Sequence, residues 1–312
     1  MPTARTADLM SAAYANGTAV GAFNVICLEH AEAIVAGAEA AILPVILQVS
    51  ENTVAYHGGL VPISLACIAL AETAAVPVAV HLDHATSEDL CLQAIDLGYT
   101  SVMFDGSALL YADNVRATAA LTTRAHALGA FVEAELGIVG GKGGGGKGGG
   151  GKGGAHAPDA RTDPGEAAAF VDATGVDSLA VAVGTRHAMV SRDAQIDLNL
   201  VAQIRAALPV PIVMHGSSGV PDQLLRGAVH AGMTKVNIAT QLNKTMTTRV
   251  REELARDPAV VDPRRYLGPA REAVADEVRR LLDILALVSS VEAGAPRQST
   301  PDVAAVALPE PQ

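Results

Sequence analysis

Three observations predict an α/β fold, a (β/α)8 TIM barrel with extra C-terminal helices. Eight short, apolar, β-branched segments recur along the chain, and alanine-rich helical stretches separate them. A chain of 312 residues, half of them hydrophobic, can bury a core of that size. A doubly wound open sheet uses the same units, but eight of them favour closure.

The elements follow in order. VGAFNV (20–25) is the first strand and carries Asn24 near its end; EHAEAIVAGAEAA behind it reads as a helix. PVILQVS (44–50) ends on Ser50, and PVAVHLD (77–83) brings His81, Asp83 and the adjacent His84. SEDLCLQAIDLG has a Ser N-cap and a closing Gly, the start and stop signals of a helix. SVMFDGS (101–107) presents Asp105, while FVEAELG (131–137) alternates Glu133 and Glu135 on one face with Val132, Ala134 and Leu136 on the other. DPGEAAAFVDATG, with Pro in its first turn, leads to SLAVAVGT (178–185), and His187 follows. PIVMHGS (211–217) contains His215, PDQLLRGAVHAG is the next helix, and KVNIAT (235–240) completes the count with Asn237 and Thr240.

The longest interval between strands, from 131 to 178, holds LGIVGGKGGGGKGGGGKGGAH (136–156). Three further strands lie beyond it, so it is a loop inside one domain, not a linker between two. After a strand it belongs to the C-terminal face, where barrel enzymes keep their chemistry, and its glycines predict a solvated, flexible loop. It is not a GxxxxGK[ST] phosphate loop, because no Ser or Thr follows Lys142, Lys147 or Lys152. Residues 1–292 are expected to form a single barrel domain, 141–154 its Gly/Lys-rich active-site loop, and 293–312, punctuated by proline, a disordered tail.

A net charge of −11 with only 22 Lys plus Arg offers no basic face for nucleic acid and no polybasic patch for a membrane. No apolar run approaches the ~20 residues that span a bilayer. The N-terminus, MPTARTADLMSAAYANG, has no hydrophobic signal core. Cys27, Cys67 and Cys91 form no CxxC, which fits a reducing, cytoplasmic setting.

His84, His187 and His215 come from three different strand ends, so three imidazoles can meet at one point without adjacency in sequence. That suits a catalytic zinc with three protein ligands and an open position; for any one of them alone, a structural histidine is the competing reading. Carboxylates pointing into a barrel are costly unless paired or metal-bound; Glu135, nearer the rim, is the better metal candidate, and either glutamate can be a salt-bridge partner. His81 shares a face with Asp83, so it either orients that carboxylate or is a hydrogen-bonded core histidine. HGSSG (215–219) and NIAT (237–240) follow strands seven and eight, the recurrent phosphate site of barrels, and Gly216, Ser217, Ser218 and Thr240 are suitable types. Together these features suggest a sugar phosphate whose carbonyl a metal polarises. A lysine Schiff base is disfavoured: of the five lysines, three lie in the glycine run, Lys244 follows strand eight, and Lys235 is expected at that strand's bottom end.

From GAFNV through PVILQVS, HLDHATS, SVMFDGS, VEAELGIVGG, TGVDSLAVAVGTRH, MHGSSG and KVNIAT to DPRRY, the chain resembles the class II, zinc-dependent ketose-bisphosphate aldolases of the fructose-/tagatose-bisphosphate type. The resemblance implies reversible aldol cleavage of a ketose 1,6-bisphosphate to dihydroxyacetone phosphate and glyceraldehyde 3-phosphate. It implies Zn2+ held by His84, His187 and His215, with Asp105 and Glu135 as alternative or secondary ligands and Asp83 as the acid/base. It further implies substrate contacts from Asn24, Ser50 and Ala188, and a phosphate held by the backbone around Gly216, Ser217 and Ser218 and around Asn237, Ile238, Ala239 and Thr240, with a monovalent cation (Na+ or K+) beside it. Arg264 of DPRRY would reach the aldehyde's phosphate across a dimer contact, and the expected assembly is a homodimer or homotetramer.

The chain departs from the family pattern where GGxED, whose acid removes a proton from dihydroxyacetone phosphate, is replaced by GGKGG with no acid between Glu135 and Asp159. Ala188 replaces a common glycine, Ser217 stands where glycine or alanine is usual, and Ala239 replaces an aspartate, which is closer to the tagatose-bisphosphate branch. The alternatives are an aldolase for another phosphorylated keto-sugar and a zinc-binding pseudoenzyme without the loop acid. A metal-dependent hydrolase is disfavoured, because strand one lacks paired histidines.

Overall fold

A computed structural model describes residues 3–136, 161–185, 192 and 194–288. The glycine run, His187, Ala188 and the tail 293–312 lie outside the described residues.

Eight strands form a closed parallel barrel in sequence order: β1 (Val20–Asn24), β2 (Val45–Ser50), β3 (Val78–Ala85), β4 (Ser101–Phe104), β5 (Phe131–Glu135), β6 (Ser178–Ala180), β7 (Ile212–Met214) and β8 (Met233–Ile238). Around them lie α1 (Thr6–Asn16), α2 (Leu28–Ala41), α3 (Glu51–Tyr56), α4 (Val61–Thr73), α5 (Glu88–Asp96), α6 (Tyr111–Ala127), α7 (Pro164–Thr174), α8 (Leu198–Ala207) and α9 (Asp222–His230), followed by the longer α10 (Thr240–Arg256) and α11 (Arg264–Leu285). The Ser cap read from sequence is made, Ser87 accepting from Leu90 N, and Asp163, just ahead of the first-turn proline of α7, accepts from Gly165 N and Glu166 N. None of the described helices is long and apolar enough to cross a membrane. All three cysteines are free.

Alternation along the strands sorts side chains into two cores. Val45, Leu47, Val49, Val78, Val80, Leu82, Val132 and Ala134 face outward and pack under the helices. Ala22, Ile46 and Ala79 face inward against Leu9 and Ala13 of α1, while Met103, Ala180 and Val213 meet Met10. The N-terminal helix therefore plugs the barrel floor, which leaves only the C-terminal mouth open for chemistry.

Two irregularities set the site. β3 continues through His84 to Ala85, beyond the expected end at 83, and its register with β4 shifts between Leu82 and Ala85. His84 adopts φ +50° there, a left-handed conformation that costs a non-glycine residue about 1–2 kcal/mol. Strict alternation would turn Asp83 and His84 to opposite faces; the bulge lets both line the mouth. The second shift lies between β7 and β8, where Ile212 pairs with Met233 but Val213 with Lys235. β8 begins at Met233, not Lys235, so Lys235 sits in mid-strand and points inward with Asn237.

Candidate active site

The strand ends converge on one cavity at the C-terminal mouth. β1 contributes Asn24, the β2–α3 junction Ser50 and Asn52, and β3 Asp83 and His84. The turn after β7 adds His215, Gly216 and Ser218, and the β8–α10 junction adds Asn237, Ala239 and Thr240.

Asp83 is 3% exposed and gripped from two sides: Asn24 Nδ2 donates to one carboxylate oxygen at 2.9 Å and Asn237 Nδ2 approaches the other at 3.4 Å. Gln48 Nε2 donates to Asn24 Oδ1 at 3.0 Å and so fixes which way that amide faces. Burial opposes the charge on Asp83, but His84, His215, Lys235 and the Asn24 hydrogen bond hold its carboxyl below the usual carboxylate range.

The two imidazoles face each other, His84 Nε2 lying 2.9 Å from His215 Nδ1. On its far side His84 Nδ1 meets Asp105 Oδ2 at 2.9 Å, with Glu135 Oε2 at 3.7 Å. His215 Nε2 meets Glu133 Oε1 at 3.0 Å. A carboxylate behind an imidazole takes its N–H and turns the other nitrogen's lone pair forward. Here two lone pairs are turned at each other, an arrangement that requires a proton or a cation between them. The surrounding charge agrees: burial disfavours a charged His84, yet Asp83, Asp105 and Glu135 outweigh it and push its pKa up to about 10. Burial likewise opposes the charge on Asp105, while His84 and Ser107 hold its carboxyl far below the usual range. Asp83, His84 and His215 bring ligand atoms within 4.8 Å of one another, as do His84, Asp105 and Glu135. This nitrogen and oxygen donor set fits a divalent ion such as zinc.

The same cavity also meets a helix start and a glycine turn. α10 starts at the cavity with Ala239, which offers no side-chain cap to the helix's first N–H groups. Gly216 opens the neighbouring turn at φ +66°, and Ser218 Oγ accepts from Gln241 N at 3.2 Å. A helix N-terminus beside a glycine turn after strands seven and eight is a ready anion site.

Known proteins resemble this chain over most of its length. The family model for class II fructose-bisphosphate aldolase matches residues 4–289. The chain belongs to the class II fructose-bisphosphate aldolase family. A fructose-bisphosphate aldolase from Geobacillus stearothermophilus is 40% identical over 269 residues, 86% of this chain and 91% of that protein. One from Thermus caldophilus is 38% identical over 305 residues, 90% and 97% of the two chains. The crystal structure of the YdjI aldolase from Escherichia coli K12 superposes with a TM-score of 0.76 at 30% identity, covering 91% of this chain and 97% of that one. The enzyme is thus an aldolase, a lyase of carbon–carbon bonds acting on a phosphorylated sugar.

Not every residue expected at the aldolase site has its side chain there. Ser217 Oγ turns away to donate to the Asn237 carbonyl at 2.5 Å, and Ile238 packs into the outer core. Arg264 is exposed on the surface, its guanidinium tied to Asp262 by three hydrogen bonds, two of them from Nε, and its backbone N–H by a fourth. His81 does not orient Asp83; it bonds Ser101 and Lys235 instead, because inward positions two apart on a barrel strand lie in different layers. Lys235 is no bottom-end residue: it is fully buried inside the barrel, with Nζ 2.8 Å from Glu133 Oε2. Asn52 also lines the cavity, from the first turn of α3, a position for which the strand pattern carries no signal.

Proposed function

We propose that this aldolase carries out zinc-dependent, reversible cleavage of a ketose 1,6-bisphosphate, fructose- or tagatose-bisphosphate, to dihydroxyacetone phosphate and glyceraldehyde 3-phosphate. The observation that carries the reading is the pair of imidazole nitrogens 2.9 Å apart, each ring backed by a carboxylate, beside the clamped Asp83. His84 and His215 would hold the ion, with His187 as the third ligand on the strength of its TRH motif, and Asp105 and Glu135 near His84 as secondary ligands. Zinc bound there supplies a Lewis acid for the substrate carbonyl.

The chain's own residues do the rest. Asp83 takes the proton of the C4 hydroxyl as the C3–C4 bond breaks, and the bond's electron pair passes into the dihydroxyacetone phosphate half. Asn24 and Asn237 keep the carboxylate ionised and aimed. The N-terminus of α10 and the Gly216–Ser218 turn bind the phosphate, with a monovalent cation beside it, and Arg264 acts on the second phosphate from a neighbouring subunit of a homodimer or homotetramer. With no acid in the glycine run, the proton at C3 falls to Asp83, Glu135 or Asp159. The relatives named fructose-bisphosphate aldolase support the fructose substrate, while Ala239 favours the tagatose epimer.

A cleavage assay on both epimers, with zinc quantified in the same samples, tests the reading. Activity should vanish on chelation and return with zinc, and Asp83→Asn should lose about 10²–10⁴-fold in kcat with zinc retained. Cleavage that survives complete metal removal overturns it.

A further inference from the structure

Below the candidate site, a column of buried polar side chains runs down the barrel axis to the helix that plugs its floor. Thr6, Ser101, His81, Lys235, Glu133 and His215 are each at most 1% exposed. In order, the contacts are Thr6 Oγ1 to Ser101 Oγ at 2.7 Å, Ser101 Oγ to His81 Nδ1 at 2.7 Å, and His81 Nε2 to Lys235 Nζ at 3.3 Å. Lys235 Nζ then reaches Glu133 Oε2 at 2.8 Å, and Glu133 Oε1 reaches His215 Nε2 at 3.0 Å.

Donors can be assigned from the floor upward, because each hydroxyl has one proton to give. Thr100 Oγ1 donates to the Ala4 carbonyl, so it accepts from the Thr6 hydroxyl 3.0 Å away. Thr6 must then accept from Ser101, and Ser101 from the Nδ1–H of His81. That leaves His81 neutral, with a lone pair on Nε2 for the Lys235 ammonium; burial and the Lys235 charge hold its pKa well below the usual value. The ammonium gives another proton to Glu133, whose remaining oxygen accepts Nε2–H of His215. His215 is left presenting its Nδ1 lone pair to the cavity. Asn237 Nδ2 lies 3.0 and 3.4 Å from the two ring nitrogens, but it is a donor and cannot take the Nε2–H that the Glu133 carboxylate accepts.

A fully buried ion pair is a poor way to gain stability, since apolar side chains of similar volume serve as well. We propose that Lys235 and Glu133 are positioning residues for the metal pocket: the ammonium anchors the carboxylate, which fixes the tautomer and orientation in which His215 offers Nδ1 to the cation. This rests on the zinc reading above and extends it one layer into the barrel.

The test compares wild type, Glu133→Gln, Lys235→Met and the double variant by zinc competition with a chelator, alongside the visible spectrum of the cobalt(II)-substituted proteins and the thermal melt of the metal-free proteins. Zinc affinity should fall about 10–100-fold in Glu133→Gln, with a changed cobalt spectrum, which a merely structural role would not produce. Lys235→Met leaves a buried, unpaired carboxylate and can fail to fold; the double variant removes both charges and keeps the measurement available. Because Lys235 acts through Glu133, the double variant should lose no more zinc affinity than Glu133→Gln alone. Folded variants with zinc affinity within about twofold of wild type, below the 10–100-fold expected of such partners, overturn the proposal alone. A wild-type chain that takes up no zinc overturns the metal reading and this proposal together.

Discussion

At Asp83, two carboxamides act on one carboxylate. Asn24 donates to it directly, and Gln48 denies Asn24 the flipped orientation that would present an oxygen. A hydrogen bond to a buried charge is worth about 1.5–3 kcal/mol, and every ~1.4 kcal/mol is tenfold in rate. Asn24→Ala should therefore lower kcat roughly 10–100-fold while zinc content stays whole, as steady-state kinetics with metal analysis would read. A kcat unchanged beside a raised KM would make Asn24 a simple substrate contact. Asn24, Asp83 and Asn237 were legible as polar groups at strand ends. Their mutual grip was not, because it depends on which strands lie side by side.

Among the elements, α9 and α11 are joined through Asp222, which bonds Arg192 and, at 2.6 Å, Arg280. Its carboxyl loses solvation on burial, but the two arginines hold it below the usual carboxylate value. A depressed folded-state pKa contributes stability that is present above the unfolded value and is lost as pH falls through the folded one. Asp222 is 41% exposed, so water screens the pair, and Asp222→Ala should cost only about 0.5–1 kcal/mol near neutral pH. Denaturant midpoints should show that difference shrinking below about pH 4 and in high salt; a deficit constant from pH 3 to 7 would contradict it. The strands were readable as elements but not to the residue. The shift beside β3 comes from fitting neighbouring strands and lets Asp83 and His84 share the mouth, while Lys235 shares the inward face of Asn237 by alternation once β8 is known to begin at Met233.

For the whole molecule, a metal ion held in the proposed pocket would link binding to stability. An ion bound only by the folded chain stabilises it by about 2.7 kcal/mol at 100 times its Kd. Saturating zinc should raise Tm and excess chelator should reverse the rise; a melt indifferent to both would argue against a pocket formed by folding. Legible in the sequence were the eightfold strand and helix pattern, the shared face of Glu133 and Glu135, and the histidines and glycine–serine turns at strand ends. These follow from local periodicity and residue type, which neighbours in sequence suffice to set. Only the tertiary structure decided that α1 closes the floor, that His84 and His215 point lone pairs at one spot, and that Lys235 joins Glu133 beneath them. Closure of the barrel brings strands far apart in sequence into one interior, and there burial makes each polar group find a partner that no local pattern encodes.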